Sequence, residues 1–272
     1  MPLSHRILPD GRKVIVGGRK RPTAEFKGAR FSEVVDVAAL PAPPAWNWNP
    51  KNLSLNPAGQ GNILANDKYG DCAWAAMGHI EDSEMAASGN PYTPVTVAQV
   101  LAAYASTGFN PATGANDNGT ILSPNALSYW QTNGFFGNGT GKIVGSATLD
   151  ASNEQEVKTA AWMFGNLYMG VELPQEWTQD VSGWGLAGPP IPDDGHCVCS
   201  PEGGYNSRAL LVNSWGFIIP VSWAAVKQYF VSSAGGEMHV VFTEDSINKA
   251  SAKSANGFDA AQLTAYLKSF AA

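Results

Sequence analysis

An α+β fold is the expectation for this 272-residue chain, on three observations. Helix-type patterns fill most of the region before residue 165, and short apolar strand-type runs dominate after it. The third is 29 Gly and 18 Pro, which imply many turns joining modest elements and exclude coiled coils. With 44% hydrophobic and 10% aromatic residues, the chain can bury one sizeable core.

Residues 1–40 read as an irregular basic arm, with turn signals at Pro9-Asp10-Gly11 and Gly17-Gly18 around one apolar run, Val14-Ile15-Val16. A proline-rich joint, Pro41-Ala42-Pro43-Pro44, precedes Trp46-Asn47-Trp48, and the Asn-, Gly- and Pro-rich residues 49–62 read as loop. A helix then begins at Cys72. Asp71 is a favourable N-cap, Ala, Met and Ile follow, Glu81, Asp82 and Glu84 carry the run onward, and Gly89-Asn90-Pro91 stops it. A second helix is predicted over 95–105, where Val97, Leu101 and Tyr104 share a face, and a third over 124–132, after the turn Asn116-Asp117-Asn118-Gly119. A fourth covers 153–164, with Val157, Ala160, Ala161 and Phe164 facing inward, and runs into a strand over 167–171. Further strands are predicted over 197–199, 208–213 and 239–242, and a tail helix over 258–270. The organisation is one main domain, 41–245, between the arm 1–40 and a helical tail 246–272.

The net charge of −6 hides an asymmetry: residues 1–30 hold eight Lys or Arg against Asp10 and Glu25, a balance of +6, so the remainder carries −12. Such an arm can solvate itself or lie across the acidic body, and both are favoured over nucleic acid because no aromatic interleaving or binding motif accompanies the charges. No apolar h-region marks a secretory signal and no run is long enough to span a bilayer, so a cytoplasmic or virion-associated protein is expected.

Three cysteines make no disulfide framework. Cys72 falls on the first turn of a predicted helix, where the macrodipole and unpaired backbone N–H groups favour thiolate over thiol. A cysteine so placed is still, more often, a small buried apolar residue. A nucleophile needs a base and a group to orient that base, and His196 at the start of one apolar strand and Asn213 at the end of the next supply both types.

Gly70-Asp71-Cys72-Ala73-Trp74, Gly195-His196 ahead of a strand, and Asn213-Ser214-Trp215-Gly216 together resemble the papain-like cysteine peptidases, as a divergent bacterial or phage-like member. The order Cys, His, Asn, with His196 and Asn213 lying 124 and 141 residues after Cys72, is similar to the family's layout. Residues 40–48 resemble the start of its mature domain, 117–134 its substrate-groove turn and following helix, and 154–171 the helix and strand before its histidine. The resemblance implies a helical left subdomain, an antiparallel β-rich right subdomain and a cleft between them. It implies a thiolate at Cys72 paired with a His196 imidazolium, Asn213 fixing the second ring nitrogen, Trp215 shielding that bond, and Gly119 binding substrate backbone. The oxyanion would meet the Cys72 backbone N–H and, six residues upstream, Asn66. The arm resembles a truncated version of the family's propeptides, which block the groove until removed.

Four departures accompany the likeness. Asn66 stands where the family has Gln and reaches less far, Ala73 separates Cys72 from Trp74, Asp71 sets a carboxylate beside the sulfur, and Phe217-Ile218-Ile219-Pro220 replaces a second Trp-Gly. The function implied is a thiol peptidase cleaving peptide or isopeptide bonds in a polypeptide substrate through an acyl-enzyme. The alternative is a papain-fold binding or structural component, for example of a phage particle. Transglutaminases and cell-wall amidases usually orient His with a carboxylate, which Asn213 is not.

No cofactor or metal is expected. His196 points away from Cys197 and Cys199 on a strand, leaving too few zinc ligands, and the Asn116 turn lacks the later bidentate Glu of a calcium loop. Cys197 and Cys199 read as core, as does His239 on its strand. His79 shares the Cys72 helix face but lies about 10 Å along the axis, beyond hydrogen-bond reach. No Gly-x-Ser-x-Gly elbow or phosphate loop is present.

Overall fold

The computed structural model describes residues 3–22, 29–47, 62–201 and 204–263. In chain order the strands are β1 (Ser4–Ile7), β2 (Lys13–Val16), β3 (Arg19–Lys20), β4 (Thr120–Ile121), β5 (Ile143–Thr148), β6 (Leu167–Glu172), β7 (Gly195–Ser200), β8 (Ala209–Ser214), β9 (Phe217–Ser222), β10 (Glu237–Thr243) and, where a helical tail was expected from 246, the antiparallel pair β11 (Ile247–Asn248) and β12 (Lys253–Ser254). The helices used below are α1 (Cys72–Ser88), α2 (Val97–Tyr104), α3 (Leu127–Asn133), α4 (Glu154–Phe164) and α5 (Trp223–Tyr229). Trp48, the expected loop up to residue 61 and the larger part of the expected tail helix lie outside the described residues.

A six-stranded antiparallel sheet, in the order β5-β10-β6-β7-β8-β9, organises the molecule. Its period-2 alternation sorts side chains between two cores. Leu167, Met169, Val171, Val198, Leu210 and Val212 point to the face covered by α4 and α5. Tyr168, Cys197, Cys199 and Val241 point to the face covered by α1. Strand β6 is buried at all six positions because both of its faces are covered, which is why it reads as a continuous apolar run.

Helix α1 starts at Cys72 as expected, and ends where Gly89 takes the left-handed conformation at φ 75°. One expectation about it fails. Asp71 occupies the N-cap position but makes no side-chain capping bond; its Oδ1 accepts instead from Asn66 Nδ2 at 3.2 Å. Glu81, Asp82 and Glu84 continue the helix as expected and lie inside the protein, since the helix is buried all round except at Met85. Each acid has an interior partner: Glu81 accepts from Trp130 Nε1 at 2.7 Å, Asp82 from the Val95 backbone, and Glu84 from Asn166 and Thr243. Burial raises Glu81 well above the carboxylate range and Glu84 to about 8, so Glu84 is largely protonated at neutral pH.

Helix α4 is capped by Asn153, which accepts from Glu156 N, and α2 is closed by a reciprocal Thr96–Gln99 box. The N-terminal segment differs from the irregular reading. Its strands β1 and β2 form a hairpin in register Ser4↔Val16, and β3 pairs in parallel with β4 as Arg19↔Thr120. Leu8, Val14, Val16 and Phe31 belong to the main core. Three apolar residues in a row give no readable periodicity, and the strand that β3 pairs with lies a hundred residues away.

Candidate active site

Cys72, Asn66, His196, Asn213 and Trp215 line one cavity of about 20 Å³, together with His79, Cys197, Cys199 and Ser214. That is room for about one water molecule. Helix α1 contributes Cys72, Ala75, Ala76 and His79, a spacing of three, four and seven residues that keeps them on one face. His79 thus shares the cavity while staying a helical length away from the sulfur, and burial lowers its pKa to about 4.

The hydrogen bonding around His196 differs from what the resemblance implied. Its Nε2 is 2.9 Å from Ser214 Oγ, not bonded to Asn213. The register explains this. Cys199 pairs directly with Asn213, so Asn213 faces the cysteine side of the sheet, while His196 and Ser214, an odd number of residues from that pair, face the other. The second ring nitrogen, Nδ1, is buried without a hydrogen-bond partner among the described residues, as is Trp215 Nε1. Trp215 does cover the histidine: the rings stack with centroids 4.4 Å apart at 19°. It does so from a left-handed backbone, φ 51°, in the two-residue Trp215-Gly216 turn joining β8 to β9.

The expected thiolate–imidazolium pair is absent from this arrangement. Burial pushes the Cys72 thiol up to about 12, against a hydrogen bond from the Cys197 backbone that favours the thiolate, with the Asp71 charge adding to the rise. Burial alone takes His196 down to about 3. Both groups are therefore neutral at pH 7, since neither finds a counter-charge to offset desolvation. Asp71 is itself held well above its usual range by its own burial, against the hydrogen bond from Asn66. Asn66 lines the cavity, but its amide is occupied, donating to Tyr69 O and Asp71 Oδ1 at 3.2 Å each.

The chain's own N-terminal segment is bound to backbone that adjoins the site. Gly17 N donates to Gly195 O at 2.9 Å, one residue before His196, and Thr120 N donates to Gly18 O at 2.7 Å, one residue after Gly119. Ile15 N reaches Asn66 O at 3.3 Å. Residues 15–18 are thus held against backbone beside His196, Gly119 and Asn66. The fit admits no side chain: a Cβ at Gly18 would lie 2.7 Å from Gly70 O, and a Cβ at Gly119 or Gly195 would strike the carbonyls of Gly18 and Arg19. Gly119, expected to bind substrate backbone, is here occupied by Gly18.

The arm's cations settle on the acidic body. Arg6 bonds Asp194, Arg19 bonds Glu172 and Glu237, Arg21 bonds Glu172, and Arg12 donates to Trp215 O while lying over the Phe217 ring. The sequence reading missed Ser214, which sits inside the quoted Asn213-Ser214-Trp215-Gly216 motif and needed only the strand register to be found. It also missed Glu172 and Glu237, for which only the +6 and −12 imbalance gave a signal.

No protein-family model matches the chain, and no curated relative matches its sequence. A solved structure does: xylellain, a cysteine protease from Xylella fastidiosa, aligns over 89% of this chain and 99% of its own, with a TM-score of 0.53 at 13% identity. The likeness supports a papain-like α+β fold. Among the described residues no helix is long and apolar enough to cross a membrane.

Proposed function

We propose that this chain is a thiol-dependent peptidase, held latent by its own residues 3–20. The observation that carries the reading is a cysteine at the first residue of a long helix sharing a cavity with a histidine. Its likeness in fold to a cysteine protease supports the same conclusion. In this reading the helical half holding Cys72 and the β-rich half holding His196 are the two walls of a substrate cleft within 41–245. The segment 1–40 is the inhibitory arm and 246–272 an appended tail.

When the arm leaves, water reaches the cavity and the desolvation that keeps both groups neutral falls. The thiol pKa drops, the imidazole pKa rises, and the proton moves from Cys72 to His196. The thiolate attacks the scissile carbonyl carbon, forming the C–S bond. The C–N bond then breaks as His196 gives its proton to the leaving amine. Water, deprotonated by His196, hydrolyses the acyl-enzyme and restores the thiol. Ser214 Oγ, on the same sheet face as His196, acts as the positioning group for the imidazole, and Asn213, the residue the resemblance assigns to that role, lines the cavity from the other face. The Cys72 backbone N–H meets the oxyanion, joined by Asn66 once its amide gives up Tyr69 O or Asp71 Oδ1, Trp215 excludes water, and Gly119 pairs with substrate backbone.

The Ser214 bond and the two neutral groups favour a second reading, a papain-fold binding or structural component with little catalysis, for example in a phage particle. A thiol probe separates them. In a Gly18→Val chain, iodoacetamide labels Cys72 selectively and His196→Ala abolishes that selectivity; equal slow labelling of Cys72, Cys197 and Cys199 refutes the peptidase.

A further inference from the structure

We infer that Glu172, Glu237 and the Gly235 carbonyl form a guanidinium-binding pocket beside the candidate site, filled here by Arg19, that takes an arginine side chain of an incoming polypeptide. Naming that polypeptide a substrate rests on the peptidase reading; the pocket itself rests on geometry. Arg19 Nη2 and Nε donate to Glu237 Oε1 at 2.6 and 3.1 Å, and Nη1 donates to Glu172 Oε1 at 3.2 Å and Gly235 O at 2.6 Å. The fork of donors is thus answered by two carboxylates and a carbonyl, an arrangement that suits a planar guanidinium and not an ammonium.

The body is shaped for this group. Gly170 lies in the interior of β6, where glycine weakens a strand, and a Cβ there would sit 2.6 Å from Arg19 Nε. Gly235, at φ 81°, likewise leaves space for the Arg21 guanidinium, 2.6 Å from where its Cβ would be. Glu172 is 1% exposed, and its Oε2 has no hydrogen-bond partner among the described residues, so the pocket retains an acceptor that a cation can use. Burial opposes charge on Glu237, but the hydrogen bond and charge of His239, then Arg19, hold its carboxyl low.

The pocket's position ties it to the cleft. Glu172 pairs with Gly195 across β6 and β7, next to the Val171↔His196 pair. Both guanidiniums on Glu172 belong to the arm. Once the arm departs, two carboxylates face the vacated path with only the His239 ring beside Glu237, and a substrate arginine restores the balance. The backbone leading to Arg19 is Gly17-Gly18, and the Gly70 contact at 2.7 Å lets only glycine follow that trace. The ligand class that fits is a peptide with paired glycines followed by arginine.

The test uses the full chain carrying Arg19→Ala and Cys72→Ala, so that binding is read without turnover. Acetyl-Gly-Gly-Arg-amide is expected to bind at least tenfold more tightly than its citrulline counterpart, an uncharged isostere, by fluorescence-detected competition. Adding Glu237→Gln removes the difference. Equal binding of the two peptides, or a preference that survives Glu237→Gln, overturns the pocket whatever the activity of Cys72 proves to be. Should Arg19→Ala not fold, ethylguanidinium is expected to restore a cooperative melt and ethylammonium not to; recovery with both, or with neither, overturns it equally.

Discussion

Two ionic clusters tie separate segments of the chain together, the arm to the sheet in one and α4 to α5 in the other, and they differ chiefly in water. In the first, Arg19 lies between Glu172 and Glu237, with side-chain exposures of 0%, 1% and 10%. In the second, Glu154 on α4 is bridged by Lys158 at 2.7 Å and Lys227 at 3.1 Å, with exposures of 29%, 14% and 44%. Each joins carboxylate to cation at similar distances. Buried charges have lost their hydration and depend on one another, so removing one partner strands the others; exposed charges return to water when a partner goes. The comparison separates a clamp, whose loss is felt across the arm, from a surface pair.

The sharpest break is Arg19→Ala. Leaving Glu172 and Glu237 without their main counter-charge should lower stability by about 3–5 kcal/mol, unless the arm lifts and water enters. Urea denaturation measures the first outcome, and protease sensitivity within residues 3–20 reports the second. A loss below about 1 kcal/mol with the arm still protected would contradict the clamp.

Burial without counter-charge is a third case, and it gives a pH signature. Glu84 releases its proton near pH 4.5 in the unfolded chain and near 8 in the folded one. Its contribution is therefore fully present below pH 4.5 and declines as pH rises through 8, at about 1.4 kcal/mol per pH unit within the window. His196 runs the other way: with its pKa lowered from 6.5 to about 3, its contribution is present above pH 6.5 and is lost as pH falls towards 3. Glu84→Gln should thus flatten the decline in urea midpoints above pH 6.5, where His196 adds no slope, and leave the limb below pH 4.5 intact. An unchanged slope between pH 6.5 and 8 would show that Glu84 is ionised in the fold.

Eviction of the arm by sterics, with its charges kept, probes the same clamp from the other end. Gly18→Val drives a side chain into Gly70 while Arg19 stays available. Iodoacetamide labelling of Cys72 should accelerate at least about tenfold, the equivalent of about 1.4 kcal/mol in access to the open form. A rate equal to the parent chain would mean that residues 15–20 do not limit access to the sulfur.

Much of this was legible beforehand where the signal is local. Helix α1 begins at Cys72 because a polar residue precedes an Ala-rich run, and the extent and inward face of α4 follow from spacing alone. Motif residues as distant as Asn66 and Trp215 reach one cavity with Cys72 and His196. What escaped depends on which strand lies beside which. Whether Asn213 or Ser214 meets His196 turns on a one-residue register between β7 and β8, and β3 becomes a strand only because Thr120 is there to pair with. Burial of Glu81 and Glu84 was hidden for a related reason: acids in a helix read as a solvated face unless Trp130, Asn166 and Thr243 are known to converge on them.

The smallest effect belongs to the second cluster. Lys158→Ala removes an i,i+4 partner of Glu154 and a cation 4.9 Å from the centre of the Trp223 ring. Glu154 keeps Lys227, and water replaces what is lost, so the expected change is below about 1 kcal/mol. Salt distinguishes the clusters further. Raising ionic strength from 0.1 to 1 M shortens the screening length from about 10 to about 3 Å, which weakens an exposed pair and barely touches a buried one. The Lys158→Ala difference should therefore shrink towards zero in 1 M NaCl while the Arg19→Ala difference persists. Were both to fade together, the Arg19 cluster would have to be open to solvent and could not serve as the clamp of the arm.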